Sequence, residues 1–168
     1  MSPSSILGSS IFCKEWFLKG SSTQSTSEHK ENVNNLIVKL VIALLERAQQ
    51  HDISKLEDPE LELFDIYTPK LAKSTYGSEE YKQFLQELKP ALDHHYKVNR
   101  HHPEHFENGC KDMNLIDILE MLVDWKAATL RHIDGDIHKS LEINKERFQL
   151  ESITLYDILR NSLEIFEN

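Results

Sequence analysis

The sequence predicts an all-α helical bundle, and three observations lead there. Apolar residues recur at intervals of three and four over long segments, which is the spacing of one face of a helix. Glycine and proline number five each in 168 residues while 28% of the chain is charged, a composition that favours long helices over turn-rich β structure. No segment alternates with the period of two that a half-buried strand needs, and no internal repeat is visible. A chain of this length fits one domain that can bury a core without disulfides or a structural metal as its main support. Cys13 and Cys110 lack CxxC spacing, and two isolated thiols fit a reducing compartment.

The elements follow in order. Residues 1–27 are rich in serine and threonine and read as a flexible tail, with one short apolar patch from Ile11 to Leu18. Lys14 and Glu15 interrupt that patch, so a signal peptide is a poor fit. From Glu28 to about Gln50, Val33, Leu36, Ile37, Leu40, Val41, Leu44, Leu45 and Ala48 mark the buried stripe of a long helix. It delivers His51 and Asp52 at its end. Asp58-Pro59-Glu60 reads as a helix start, with Asp58 as cap and Pro59 in the first turn, for a short helix to about Tyr67. Residues 68–77 read as a loop.

Ser78 caps a second long helix to about Asn99, with Tyr81, Phe84, Leu85, Leu88, Ala91 and Leu92 inward and Pro90 as a kink or restart. Extending its stripe reaches His95, Val98 and His102. Pro103 ends the helix, Asn108-Gly109 makes a turn, and Asn114 caps a third helix. In that helix Leu115, Ile118, Leu119, Leu122 and Trp125 form one face, while Asp117, Glu120, Asp124 and Arg131 form a second line. Asp134-Gly135-Asp136 breaks it. Two amphipathic segments, near 136–148 and 152–166, complete one domain over 28–168.

A formal charge of −9 argues against a nucleic-acid-binding surface, because neutralising phosphates takes a basic face. A nucleotide substrate stays open, since a divalent cation supplies positive charge locally. No apolar run approaches the roughly 20 residues that span a bilayer, so a cytoplasmic location with no membrane partner is expected. HExxH, GxGxxG and Walker motifs are absent: His101-His102-Pro103-Glu104-His105 has the wrong spacing and a proline where a helix would be needed.

The densest chemical signal is Asp93–Phe106, DHHYKVNRHHPEHF, which holds five of the nine histidines in fourteen residues. Combined with His51-Asp52 and Asp124 it gives the order HD…H…H…D. This resembles the HD-domain superfamily of metal-dependent phosphohydrolases, an all-helical fold named for the adjacent pair. The resemblance implies an HD-like bundle in which His51, Asp52 and Asp124 bind a divalent metal, with His95, His101 and His102 as candidates for the intervening ligands. It also matches His51-Asp52-Ile53-Ser54-Lys55 to the HDxxK continuation, with Lys55 near substrate. More closely, HDISKL, YGSEEYK, NRHHPEH, EMLVDWKAAT and DGDIHKSLEIN look like the blocks of an uncharacterised family of phage and bacterial proteins.

One departure bears on the ligand set. HD domains take a ligand from a His on an earlier helix, and His29 is the only earlier one. In an unbroken helix it would stand about 33 Å from His51. Either the helix breaks near Asn34-Asn35 or the later histidines replace it, and the second is expected because the apolar stripe passes those asparagines without losing phase.

The chemistry is consistent with the residue types. Mixed imidazole and carboxylate ligation suits Fe, Mn, Ni, Co or Zn, as one or two ions, better than Ca or Mg. Such an ion lowers the pKa of bound water to around 7 and makes hydroxide available for attack on phosphorus. Asp52 would hold that centre, while Lys55 and Arg100 would hold the oxygens of a small phosphorylated substrate. Two other readings stand beside a phosphohydrolase of nucleotides or other phosphate esters. One is an HD-like dinuclear iron oxygenase. The other is a partner-binding helical module whose histidines only organise the core. Glu120 reads as structural or as a support to a ligand, and His94 and His105 as support or surface.

Overall fold

The computed structural model describes residues 9–75, 78–130, 135–150 and 153–162. Within them lie six helices and no strand: α1 (Ser9–Gln50), α2 (Leu61–Lys73), α3 (Glu79–Val98), α4 (Leu115–Thr129), α5 (Ile137–Arg147) and α6 (Ile153–Ser162). Short 3-10 turns at Ile53–Leu56, Pro103–His105 and Gly109–Lys111 join them. The all-α class is as the sequence predicts. His132, Arg131 and Asp134 lie outside the described residues.

The chain divides into two compact units, Met1–Ala43 and Leu44–Asn168, where the sequence put a boundary at 27/28. α1 begins at Ser9, so that residues 9–27, expected as a tail, are helical. Local bonds satisfy polar side chains there, among them Thr26 Oγ1 donating to the Ser22 carbonyl at 2.8 Å and Gln24 to Glu28 at 3.0 Å. The stripe from Val33 to Leu45 behaves differently from expectation. Leu36 is 60% and Ile37 54% exposed, because the described residues of the first unit are a stretch of one helix with no second element of their own to bury a face.

The second unit holds the core. Met121, Leu122 and Trp125 of α4 pack with Ile137 and Leu141 of α5 and Leu159 of α6, joined by Met113 and Leu150. Trp125 lies parallel to Phe148 with ring centroids 6.0 Å apart. Asn114 caps α4 through a reciprocal pair of bonds with Asp117, which fixes where the helix starts and therefore which side chains line up on its second face. On the other side α2 packs on α3, with Tyr67 and Phe84 meeting at 6.2 Å and Lys70 lying 4.5 Å over the Tyr67 ring.

Two helix ends depart from the sequence reading. Asp58-Pro59 is a cis peptide within a turn rather than a cap and first helical residue, and α2 starts at Leu61 with Glu60 as its N-cap. α2 then runs through Pro69 to Lys73, where a loop was expected. Pro90 likewise sits inside a continuous α3, which ends at Val98 as anticipated. The start of α3 is also as anticipated, with Ser78 Oγ accepting from Tyr81 N at 3.1 Å. Ser78→Ala should cost about 1 kcal/mol by removing this cap, measured as a shift in the urea midpoint with an unchanged slope.

Candidate metal centre

Three stretches of the second unit converge on one cluster. The turn after α1 carries His51 and Asp52, the end of α3 and the loop beyond it carry His95, His101 and His102, and the second face of α4 carries Glu120 and Asp124. Asp52 adopts the left-handed conformation (φ 58°, ψ 12°), which aspartate tolerates better than most residues because its short side chain bonds locally. That backbone twist turns the carboxylate across the end of α3, while Lys55, one 3-10 turn later, donates to Asp52 Oδ2 at 2.6 Å. Lys55 Nζ also lies 5.3 Å over the Phe64 ring.

Asp52 Oδ1 lies 3.3 Å from His95 Nε2 and 3.5 Å from His101 Nε2. His95 Nε2 is 2.9 Å from His102 Nε2. Bonds of about 2.0–2.2 Å from a metal to nitrogen or oxygen, at angles between octahedral and tetrahedral, put neighbouring ligand atoms roughly 2.9–3.5 Å apart. The separations in this cluster span that range. Asp52 Oδ1 and His101 Nε2 are moreover buried without a hydrogen-bond partner, a costly state that a shared cation would relieve. A second group joins His51, Asp52 and Asp124, with His51 Nε2 3.6 Å from Asp52 Oδ2 and 3.6 Å from Asp124 Oδ1. Asp52 belongs to both groups through its two oxygens, so the cluster can hold one ion or two.

Carboxylates stand behind the imidazoles. Glu120 Oε1 is 3.0 Å from His51 Nδ1 and 3.2 Å from His101 Nδ1, while its Oε2 accepts from Arg47 Nε at 2.7 Å. Carboxylates on the Nδ1 side keep Nε2 turned toward the cluster, and such support raises the basicity of an imidazole ligand. His51, His101 and Glu120 form a third group that could hold a cation, though both Nδ1 atoms already lie at hydrogen-bonding distance from Glu120 Oε1.

The electrostatics suit a cation. Hydrogen bonding to Asp124 and then to Glu120 pushes His51 up to about 10, against a burial effect in the opposite direction. Carboxylates that favour a proton on His51 to this extent favour a metal in its place, with release of the proton. Burial alone would raise Asp52, but the His95 imidazole and the Lys55 ammonium hold it well below the usual carboxylate range. Burial likewise opposes ionisation of Asp124, and His51 outweighs it. His102 is pushed down to about 3 by burial and by the neighbouring His101 and His95, so it stays neutral, which is the form that binds metals.

All six residues proposed from the sequence as ligands, His51, Asp52, His95, His101, His102 and Asp124, therefore meet in overlapping groups. His29 lies in the first unit, is exposed, and belongs to none of the groups among the described residues. Lys55, expected near a substrate, donates to Asp52 Oδ2. Arg100 is placed elsewhere: Nε and Nη2 donate to both oxygens of Asp117 at 3.1 and 2.8 Å, with the guanidinium 4.8 Å over Phe106. A fully buried carboxylate thus holds this arginine, where the sequence suggested a substrate oxygen. His94 meets Glu60 at 2.7 Å and His105 the Tyr96 carbonyl at 3.2 Å, both away from the ligand atoms.

Sequence reasoning missed Glu60, Asn99 and Arg47. Arg47 left one trace, a charge three residues after Leu44 on an otherwise apolar line. Glu60 left none, since an acidic residue after Asp-Pro has an ordinary explanation in helix capping.

A family model described as a family of unknown function (DUF5662) matches residues 19–166. The chain belongs to that family. Comparison with curated proteins and with solved structures returned no match. The DUF5662 match spans the whole described cluster, from Arg47 to Asp124, and carries no activity with it. Among the described residues no helix is long and apolar enough to cross a membrane.

Proposed function

We propose that this member of the DUF5662 family is a metal-dependent phosphohydrolase of HD-domain type, acting on a small phosphate ester such as a nucleotide. The observation that carries the reading is the convergence of His95, His101 and His102 Nε2 with Asp52 Oδ1, two of these four atoms being buried without a partner. Fe, Mn, Ni, Co or Zn fits this donor set. When bound, such an ion lowers the pKa of a coordinated water to around 7 and draws charge from a phosphoryl oxygen.

The chain's own residues then have separable tasks. Asp52 offers one oxygen to the histidines of the α3 side and the other to His51, which ties the two halves of the site together. Glu120 orients His51 and His101 from behind. Lys55 is the cation nearest Asp52 and is partly exposed, so it can meet a phosphoryl oxygen that approaches from solvent. Asp124, also partly exposed, stands 3.6 Å from His51 Nε2 and would complete the second group of ligands with His51 and Asp52.

Protein purified without chelator should carry at least one equivalent of transition metal by elemental analysis. It should hydrolyse p-nitrophenyl phosphate or a nucleoside monophosphate, and lose that activity on chelation with recovery when metal is restored. Absence of bound metal, with helicity and thermal stability unaffected by chelator or added metal, would overturn the reading.

A further inference from the structure

Among the described residues of the second unit, two carboxylates have side chains that are 0% exposed, Asp117 and Glu60. Asp117 meets arginines. Glu60 meets histidines: its Oε1 lies 2.7 Å from His94 Nδ1 and its Oε2 3.0 Å from His95 Nδ1, and Ser54 Oγ donates to Oε2 at 3.0 Å. We propose that Glu60 is a positioning residue for the metal centre, accepting the Nδ1 hydrogen of His95 and so fixing the tautomer whose Nε2 is free to bind a cation. The inference rests on the metal-site reading above and names a residue that makes no contact with the metal itself.

A carboxylate has no hydrogen to give, so each of its contacts must be donated from the other side. A neutral imidazole carries one hydrogen, and with that hydrogen on Nδ1 the lone pair stands on Nε2. His95 Nε2 is the atom that faces Asp52 Oδ1 and His102 Nε2. Asp52 Oδ1 competes there for the hydrogen, but at 3.3 Å it stands farther from Nε2 than Glu60 Oε2 stands from Nδ1, at 3.0 Å. His95 is 1% exposed, so solvent has little part in choosing its tautomer.

A competing donor stands close by. Asn99 Nδ2 is 2.9 Å from His95 Nδ1, and a hydrogen given there would force the imidazole hydrogen onto Nε2 and block the site. Asn99 Nδ2 also donates to Ser54 Oγ at 2.8 Å and to the His95 carbonyl at 2.9 Å. Its two hydrogens are directed at those oxygens, which leaves Nδ1 to donate to Glu60. Glu120 stands in the same relation to His51 and His101, with its carboxylate against Nδ1 and Nε2 turned inward. Glu60 therefore completes a pattern in which a buried carboxylate backs the ligand histidines on both sides of the cluster.

The test compares wild type, Glu60→Gln and Glu60→Leu, with Zn2+ as the probe. Long-range 1H–15N correlation spectra of metal-free protein read the His95 tautomer, and calorimetric titration reads Zn2+ affinity. Wild type should show hydrogen on Nδ1 of His95. Glu60→Leu should lose that preference and bind Zn2+ about 10- to 100-fold more weakly, the range typical for loss of a group that orients a ligand. Glu60→Gln keeps an accepting oxygen and should fall between the two. If Glu60→Leu does not fold, the wild-type tautomer and the Glu60→Gln affinity decide the matter. Hydrogen on Nε2 in wild type, or wild-type affinity in the folded variants, would overturn the proposal. A wild-type protein that binds no Zn2+ but keeps hydrogen on Nδ1 would sink the metal-site reading and leave the hydrogen bond to Glu60 standing.

Discussion

Asp52→Asn should leave the protein folded and strip it of both metal and phosphatase activity. Asparagine is the substitution to use, because residue 52 is left-handed at φ 58° and alanine there would add a backbone cost of about 1–2 kcal/mol that confuses the result. The amide retains the outline of the side chain and one acceptor, but it removes the charge that Oδ1 presents to His95 and His101 and that Oδ2 presents to His51 and Lys55. Two of the three candidate groups among the described residues include Asp52, so both lose their shared anion at once. A catalytic metal supplies several kcal/mol of charge stabilisation in the transition state. At about 1.4 kcal/mol per factor of ten, its loss corresponds to a fall in kcat/KM of roughly a thousandfold.

A thermal scan gives an independent check. Metal at about 100 times its Kd should stabilise wild type by about 2.7 kcal/mol, since it binds the folded state alone. Asp52→Asn should show almost none of that gain. Equal metal-dependent stabilisation of the two proteins would place the cation somewhere other than on Asp52.

The convergence of these candidate side chains was legible in the sequence because helical periodicity is a local property. His95 continues the apolar line of Leu88 and Ala91, so a helix through 79–98 carries it inward whatever else the chain does, and all three residues are buried. The spacing of Asp117, Glu120 and Asp124 similarly put three carboxylates on one side of α4. Where the reading failed, the missing information was non-local. Periodicity shows that α1 is two-faced over Val33 to Leu45 but says nothing of what covers the apolar face, and Val33, Leu36, Ile37, Leu40, Val41 and Leu45 are exposed. Arg100 was assigned to substrate because a cation beside a histidine cluster suggests one, yet its partner Asp117 lies 17 residues away. Glu60 meets His95 35 positions away, across a turn that sequence rules read as the start of a helix. Residues 68–77 read as a loop, yet α2 continues through Pro69 to Lys73. Proline removes one backbone donor and costs about 3 kcal/mol in a helix interior, and the contacts of Tyr67 and Lys70 with Phe84 of α3 act against that cost.

The other large effect concerns stability and is independent of metal. Asp117→Asn should destabilise the fold by about 3 kcal/mol, the low end of the cost of removing one partner from a buried ion pair, because both arginines keep part of their guanidinium in solvent. Asp117 Oδ1 accepts from Arg47 Nη2 at 2.9 Å and from Arg100 Nε at 3.1 Å, and Oδ2 from Arg100 Nη2 at 2.8 Å and Asn114 N at 3.0 Å. One carboxylate thus joins the end of α1, the loop after α3 and the first turn of α4, the segments that carry His51, His101 and Asp124. Burial would raise the Asp117 carboxyl, but Arg100, the Asn114 backbone N–H and Arg47 together hold it below its ordinary value. A carboxyl whose pKa is lower folded than unfolded contributes stability that is fully present above the unfolded value, about 3.9, and is lost as pH falls through the folded value. The gap between wild type and Asp117→Asn in urea denaturation should therefore be constant from neutral pH down to about 5 and narrow below about 4. The gap should be the same with and without chelator. A gap that widened in acid, or that vanished when metal was removed, would show that Asp117 acts through the cation site rather than as the tie between these three segments.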